Sequence, residues 1–160
     1  MSAYKAEITW KRNDAVFTDN KYPRAHLWQF DGGAEVPASS SPQVVPPPYS
    51  DSAAVDPEEA FLASLSSCHM LWFLSIAAKR GFVVDEYIDT AEAYMGKNND
   101  GKTAITMAIL RPAVKYSPDA APMADVNTAL HHEAHEKCFI ANSVTTEIRI
   151  EPVMDILKNL

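Results

Sequence analysis

Cysteine is scarce in this chain. Cys68 and Cys138 are the only two among 160 residues, too few for the disulfide lattice that holds small secreted domains together. Positive charge is also short, with 14 Lys and Arg against 21 Asp and Glu and a net charge of −7. No local basic cluster offsets that balance, so neither a nucleic-acid backbone nor an anionic membrane surface is an expected partner. A second long apolar run is missing, as are internal repeats. The opening residues MSAYKAEITW hold no apolar core of a leader peptide, and the expected location is therefore the cytoplasm. In that reducing setting a permanent disulfide is disfavoured, whereas a transient one between two thiols is natural. What remains is an ordinary globular composition, 47% hydrophobic and 22% charged, expected to form a single domain over residues 1–160.

The stretch Asp56–Arg80, DPEEAFLASLSSCHMLWFLSIAAKR, organises the rest. Asp56 is placed as a helix N-cap, Pro57 as the first helical residue and Glu59 as the return partner of a capping box. Lys79, Arg80 and Gly81 supply a basic last turn and a glycine stop. Between Ala60 and Ala78 there is no Asp, Glu, Lys or Arg. A helix apolar on every side is either buried or membrane-spanning. The serines at 64, 66, 67 and 75, together with His69, favour burial.

Elsewhere the pattern is mostly that of strands. Ala3–Trp10 and Arg24–Asp31 alternate, and Gly32-Gly33 forms a tight turn, giving an N-terminal antiparallel hairpin or meander. Val36–Ser52, with five prolines and five serines, reads as an extended loop. Tyr87–Met95 and Thr103–Lys115 are two further strands joined by a hairpin tip at Asp100-Gly101, with Pro112 marking an edge or bulge. Asp119 to about Ile140 reads as a second helix, with Val126, Leu130, Ala134 and Cys138 on one face. Val144–Ile150 is a last strand, and the tail to Leu160 a short cap or helical turn. The fold class is α+β.

Three sets of residues carry chemistry. Cys68 in an apolar helix is by itself either an inert core residue or a reactive thiol, and reactivity requires a cation from elsewhere in the fold. Glu58 lies ten residues before it, ~15 Å along a helix axis, too far to touch the thiol but able to hold an arginine. His131, His132 and His135 fall in HHEAHEKC. The metalloprotease pattern fails there, because His132 occupies the slot that needs Glu. A zinc site from His131, His135 and Cys138 is sterically possible; core or partner-facing histidines are the alternative. His69 projects about 100° away from Cys68 and cannot serve as its base directly.

DPEEAFLASLSSCHM resembles the Asn-Pro-Glu…Cys helix of the OsmC/Ohr family of thiol-dependent peroxidases, and KCFIANSV resembles that family's second cysteine segment. The resemblance covers nearly the whole chain. It implies an OsmC-like fold, with antiparallel sheets wrapped around a long central helix in an intertwined homodimer. It implies reduction of organic hydroperoxides without a cofactor or metal. Cys68 would be the peroxidatic cysteine and Cys138 the resolving one, with an external dithiol as reductant. Glu58 matches the glutamate of the motif, and Arg24 is the best match to the family's arginine, with Arg12 as the alternative. A substrate pocket from Phe61, Leu65, Trp72 and the proline loop is expected. Phe139 stands where the family often has Pro, His69 follows the first cysteine in place of an apolar residue, and Asp56 replaces Asn. The competing reading is a small-ligand or metal-binding member of the same fold without peroxidase activity. A thiol hydrolase is a third reading.

Overall fold

A computed structural model describes residues 1–153; the C-terminal cap expected beyond them lies outside the described residues. The chain gathers into two compact units, residues 1–60 and residues 61 onward.

The first unit is the expected N-terminal meander. Strands β1 (Ala6–Thr9), β2 (His26–Phe30) and β3 (Glu35–Ala38) form one antiparallel sheet in that order. Trp28 stands opposite Ile8 on one side and Val36 on the other. Gly33 takes φ +90° in the turn between β2 and β3, a conformation that any side chain would strain. The first residues of the expected proline loop belong to β3. Its Pro37 is tolerated because β3 is an edge strand, where a missing N–H need not be paired. The loop then folds back on the sheet: the Ser39 N–H donates to the Val55 carbonyl, the Val55 N–H donates to the Pro37 carbonyl, and the Arg24 N–H donates to the Tyr49 carbonyl over 2.8 Å.

Helix α1 (Pro57–Lys79) starts where the capping signals place it. The Glu59 N–H donates to Asp56 Oδ1 over 2.8 Å, and the Asp56 N–H returns to Glu59 Oε2 over 3.2 Å. At the other end Gly81, at φ +82°, lets the Phe82 N–H reach the Ala77 carbonyl and the Gly81 N–H the Ala78 carbonyl. These two bonds close the last turn. Complete burial of the helix is not what its own unit provides. Leu65, His69, Phe73, Ile76 and Ala77 are buried, whereas Leu71 is 60% exposed.

The two long strands expected after α1 are each broken in two. Strands β4 (Val84–Asp89) and β5 (Glu92–Lys97) replace the first, and β6 (Thr103–Leu110) and β7 (Pro112–Tyr116) the second. The pairs β4·β7 and β5·β6 lie in different sheets. The cause is local. Pro112 has no N–H to continue the ladder, and the neighbouring Arg111 N–H leaves it to donate to Asp89 Oδ1 over 2.6 Å. The other Asp89 oxygen accepts from Ser66 Oγ at 2.5 Å, tying the break to α1.

Helix α2 runs over Ala124–Lys137, shorter at both ends than Asp119–Ile140. Ala121 is forced extended, at ψ 140°, by Pro122, so Pro118–Ala120 forms only an isolated 3₁₀ turn. Cys138 caps the far end at ψ 113°. The last strand, β8 (Glu147–Ile150), pairs in parallel with β6. The core of this unit joins Phe73, Ile76 and Ala77 of α1 to Leu130 and Ala134 of α2. This is the apolar α2 face expected from the sequence.

Candidate active site

Cys68 sits in the middle of α1, and its neighbours on that face follow from helix geometry. Leu71, Trp72 and Ser75 lie three, four and seven residues further on, one stripe of the helix. With Phe139, just beyond α2, they line a cavity of about 290 Å³ around Cys68. Phe139 meets Trp72 edge to face, and Lys137 Nζ lies 5.9 Å from the centre of the Trp72 ring. Of the expected pocket residues only Trp72 lines this cavity. Leu65 is 1% exposed and belongs to the core, and Phe61 is not part of the wall. Leu71, Ser75 and Phe139 were not anticipated, although the helical spacing from Cys68 could have found the first two.

Both cysteines are free thiols, Cys68 half-buried and Cys138 buried. They are neighbours, close enough for the Cys68 thiol to act on the ionisation of Cys138. Burial first, then the neighbouring Cys68 thiol, pushes the Cys138 thiol up to about 11. Its sulfur also accepts the Ala141 N–H at 3.4 Å, a contact that acts in the opposite sense. Cys138 therefore keeps its proton at neutral pH, and Cys68 is the sulfur facing the cavity.

Behind the thiols lies a pair the sequence left open. His69 Nε2 and His131 Nδ1 are 3.0 Å apart, with the rings 4° from parallel and their centres 5.3 Å apart. That combination sets the imidazoles edge to edge in one plane. Both are almost fully buried, and Phe73 stacks on His131 at 4.1 Å. Burial lowers His69 to about 4 and His131 to about 3, helped by the charges of His135 and His69 respectively. Both rings are neutral at pH 7, so one donates and the other accepts. The zinc set His131, His135 and Cys138 is not gathered: His131 turns inward to His69, and no group of three metal-ligating side chains assembles among the described residues.

Arg24 and Glu58 lie in the first unit and share a pocket of about 520 Å³ with Trp10, Phe17, Tyr22 and His26. The Arg24 guanidinium stacks on Tyr22, 3.7 Å from the ring centre. It donates to the Asn20 carbonyl, to Asn20 Oδ1 at 2.9 Å and to the Tyr22 carbonyl. It forms no ion pair with Glu58. Arg12, the alternative, donates to the Ala15 carbonyl over 2.9 Å and does not line this pocket.

A sequence profile of OsmC-like proteins matches residues 50–153. In structure the chain is similar to an OsmC-like protein of unknown function from Vibrio cholerae O1 biovar eltor, at 55% identity and a TM-score of 0.94, over 96% of this chain and 100% of that one. It also resembles an organic hydroperoxide resistance protein OsmC from Legionella pneumophila, at 14% identity and TM-score 0.67, over 95% of this chain and 96% of that one. The organic hydroperoxide resistance protein OhrB of Bacillus subtilis gives 16% identity and TM-score 0.65, over 95% and 98%. The last two likenesses speak for the fold. No curated protein matches the chain in sequence.

Proposed function

The chain belongs to the OsmC-like family, and from that premise we propose that it is a cysteine-based peroxidase that reduces organic hydroperoxides. The observation that carries this reading is the proximity of Cys68 and Cys138: two free thiols, one at a cavity with Leu, Trp and Phe walls, the other buried and holding its proton. Proteins of similar fold bear the description organic hydroperoxide resistance protein. An inert core cysteine would need neither the cavity nor a second thiol beside it.

The Cys68 thiolate attacks the outer oxygen of the hydroperoxide. The O–O bond breaks, the alcohol leaves with a proton, and Cys68 becomes a sulfenic acid. Cys138 then loses its proton and attacks that sulfur, water leaves, and a Cys68–Cys138 disulfide remains. An external dithiol restores both thiols by taking up the oxidising equivalents. By the resemblance Arg24 is the planar donor suited to developing negative charge and Glu58 the acid that would orient it, a pairing not formed in this structure. The Leu71, Trp72 and Phe139 wall favours an alkyl or aryl substituent over a bare hydrogen peroxide molecule. A homodimer of cytoplasmic protomers completes the reading, because it would cover the exposed apolar positions of α1, Leu71 foremost.

Consumption of cumene hydroperoxide with dithiothreitol tests it. Wild-type turnover is expected to exceed that of Cys68→Ser by at least a hundredfold, and equal rates would overturn the proposal. Intact mass after one equivalent of peroxide is expected to fall by two hydrogens.

A further inference from the structure

The mechanism above makes no use of the buried histidine pair, yet the pair joins the same two helices as the cysteines. His69 directly follows Cys68 on α1. His131 lies seven residues, about two helical turns, before Cys138 and on the same side of α2. The 3.0 Å bond between the rings is a polar contact inside the otherwise apolar α1–α2 core around Phe73 and Leu130. Apolar contacts tolerate sliding, whereas a hydrogen bond weakens steeply with misalignment. A bond between coplanar rings therefore fixes both the distance and the rotation of α2 against α1. Disulfide formation is sensitive to that placement, because the sulfurs must come to bonding distance with defined torsion.

We infer that His69 and His131 are positioning residues that hold Cys138 in line with Cys68 and so set the rate at which oxidised Cys68 is captured. The pair takes no part in the first attack, since neither ring lines the Cys68 cavity. This rests on the peroxidase reading for its biological meaning, though not for its test. The bond requires exactly one shared hydrogen, because a proton on both facing nitrogens sets two donors against each other. The other titratable groups facing the pair are Tyr87 of β4, 6.4 Å from His131 between ring centres, and His135 of α2. Tyr87, held neutral by burial and by Asp89, supplies no counter-charge.

The variants follow from the atoms used. In His69→Gln an amide stands in for Nε2, and in His131→Asn one stands in for Nδ1; both keep a hydrogen bond. The double variant H69L/H131L removes both partners at once, which leaves no unsatisfied polar group and favours folding. Closure of the Cys68–Cys138 disulfide is followed by stopped flow, using cumene hydroperoxide and, separately, diamide. Diamide takes two electrons and two protons from a dithiol and needs no peroxidase activity. H69L/H131L is expected to close at least tenfold more slowly than wild type with diamide, and His69→Gln to remain within about threefold. Sulfenic acid formation, trapped by dimedone in a Cys138→Ser background, is expected to be unchanged by H69L/H131L. Equal diamide closure rates in wild type and H69L/H131L overturn the positioning role. Should peroxide fail to oxidise Cys68 while the diamide ordering holds, the peroxidase reading falls and the positioning role stands. If H69L/H131L does not fold, His131→Asn and His69→Gln are compared with His69→Leu, and equal closure in all three overturns it.

Discussion

Trp72 and Phe139 meet edge to face, with ring centroids 5.4 Å apart and planes at 78°. The contact joins α1 to the turn after α2 and forms the apolar wall beside Cys68. Such pairs contribute ~0.5–1.5 kcal/mol beyond their area, and Phe139 is 68% exposed. Phe139→Ala is therefore expected to fold normally but to raise KM for cumene hydroperoxide several-fold more than KM for hydrogen peroxide. Equal effects on both substrates would remove Phe139 from the substrate wall.

Burial, and then the neighbouring Cys68 thiol, push the Cys138 thiol up to about 11. The attacking species in the capture step is its thiolate. Burial, the larger cause, persists after Cys68 is oxidised. The closure rate measured by stopped flow is expected to rise about tenfold per pH unit between pH 7 and 9. A plateau below pH 8 would show that the resolving thiol ionises earlier than its burial requires.

His69 and His131 bind protons near pH 6.5 when unfolded, but only near 4 and 3 in the fold. Between those values the unfolded chain holds more protons, so stability is full above pH 6.5 and is lost as pH falls toward 4. The slope is at most about 1.4 kcal/mol per pH unit for each ring. Urea midpoints at pH 7.0 and 5.2, above most carboxylate titrations, are expected to show the decline in wild type and little of it in H69L/H131L. A flat wild-type profile contradicts the buried neutral pair.

Asp89 satisfies both Ser66 Oγ and the Arg111 N–H. Asp89→Ala leaves the backbone donor at the strand break without its acceptor, at a cost of roughly 1–3 kcal/mol. Ser66→Ala keeps that acceptor and is expected to cost less. Chemical denaturation of the two variants checks the order, and a larger loss for Ser66→Ala refutes this account of the break.

Much of this was readable in advance, and for identifiable reasons. The cap at Asp56 and Glu59 and the stop at Gly81 depend on residues within one turn of each other, so sequence adjacency reports them fully. The β2–β3 turn is legible for the same reason. The split of the two long strands was not, because alternation continues through Thr90-Ala91 and through Arg111. What breaks them is a side chain from across the pair, Asp89, acting on the one amide beside a proline. Within its unit α1 is only partly covered, because an apolar sequence states what a helix can bury, not which chain supplies the cover. Cys68 and Cys138 were paired through resemblance, and the structure brings them together. His69 and His131 were open to several readings because their bond spans 62 residues, and no local spacing encodes it.

The parallel pairing of β6 with β8, Met107 opposite Glu147 to Leu110 opposite Ile150, has a consequence for the nascent chain. β6 leaves the ribosome about 40 residues ahead of its partner, an interval of roughly 2–8 s at ordinary elongation rates. Throughout it, one side of a strand ending in Ala108, Ile109 and Leu110 has no neighbour, and α2 must dock before β8 can arrive. That exposed edge is a template for other strands. Among the described residues β8 is the last strand synthesised, so this edge is the last to be closed.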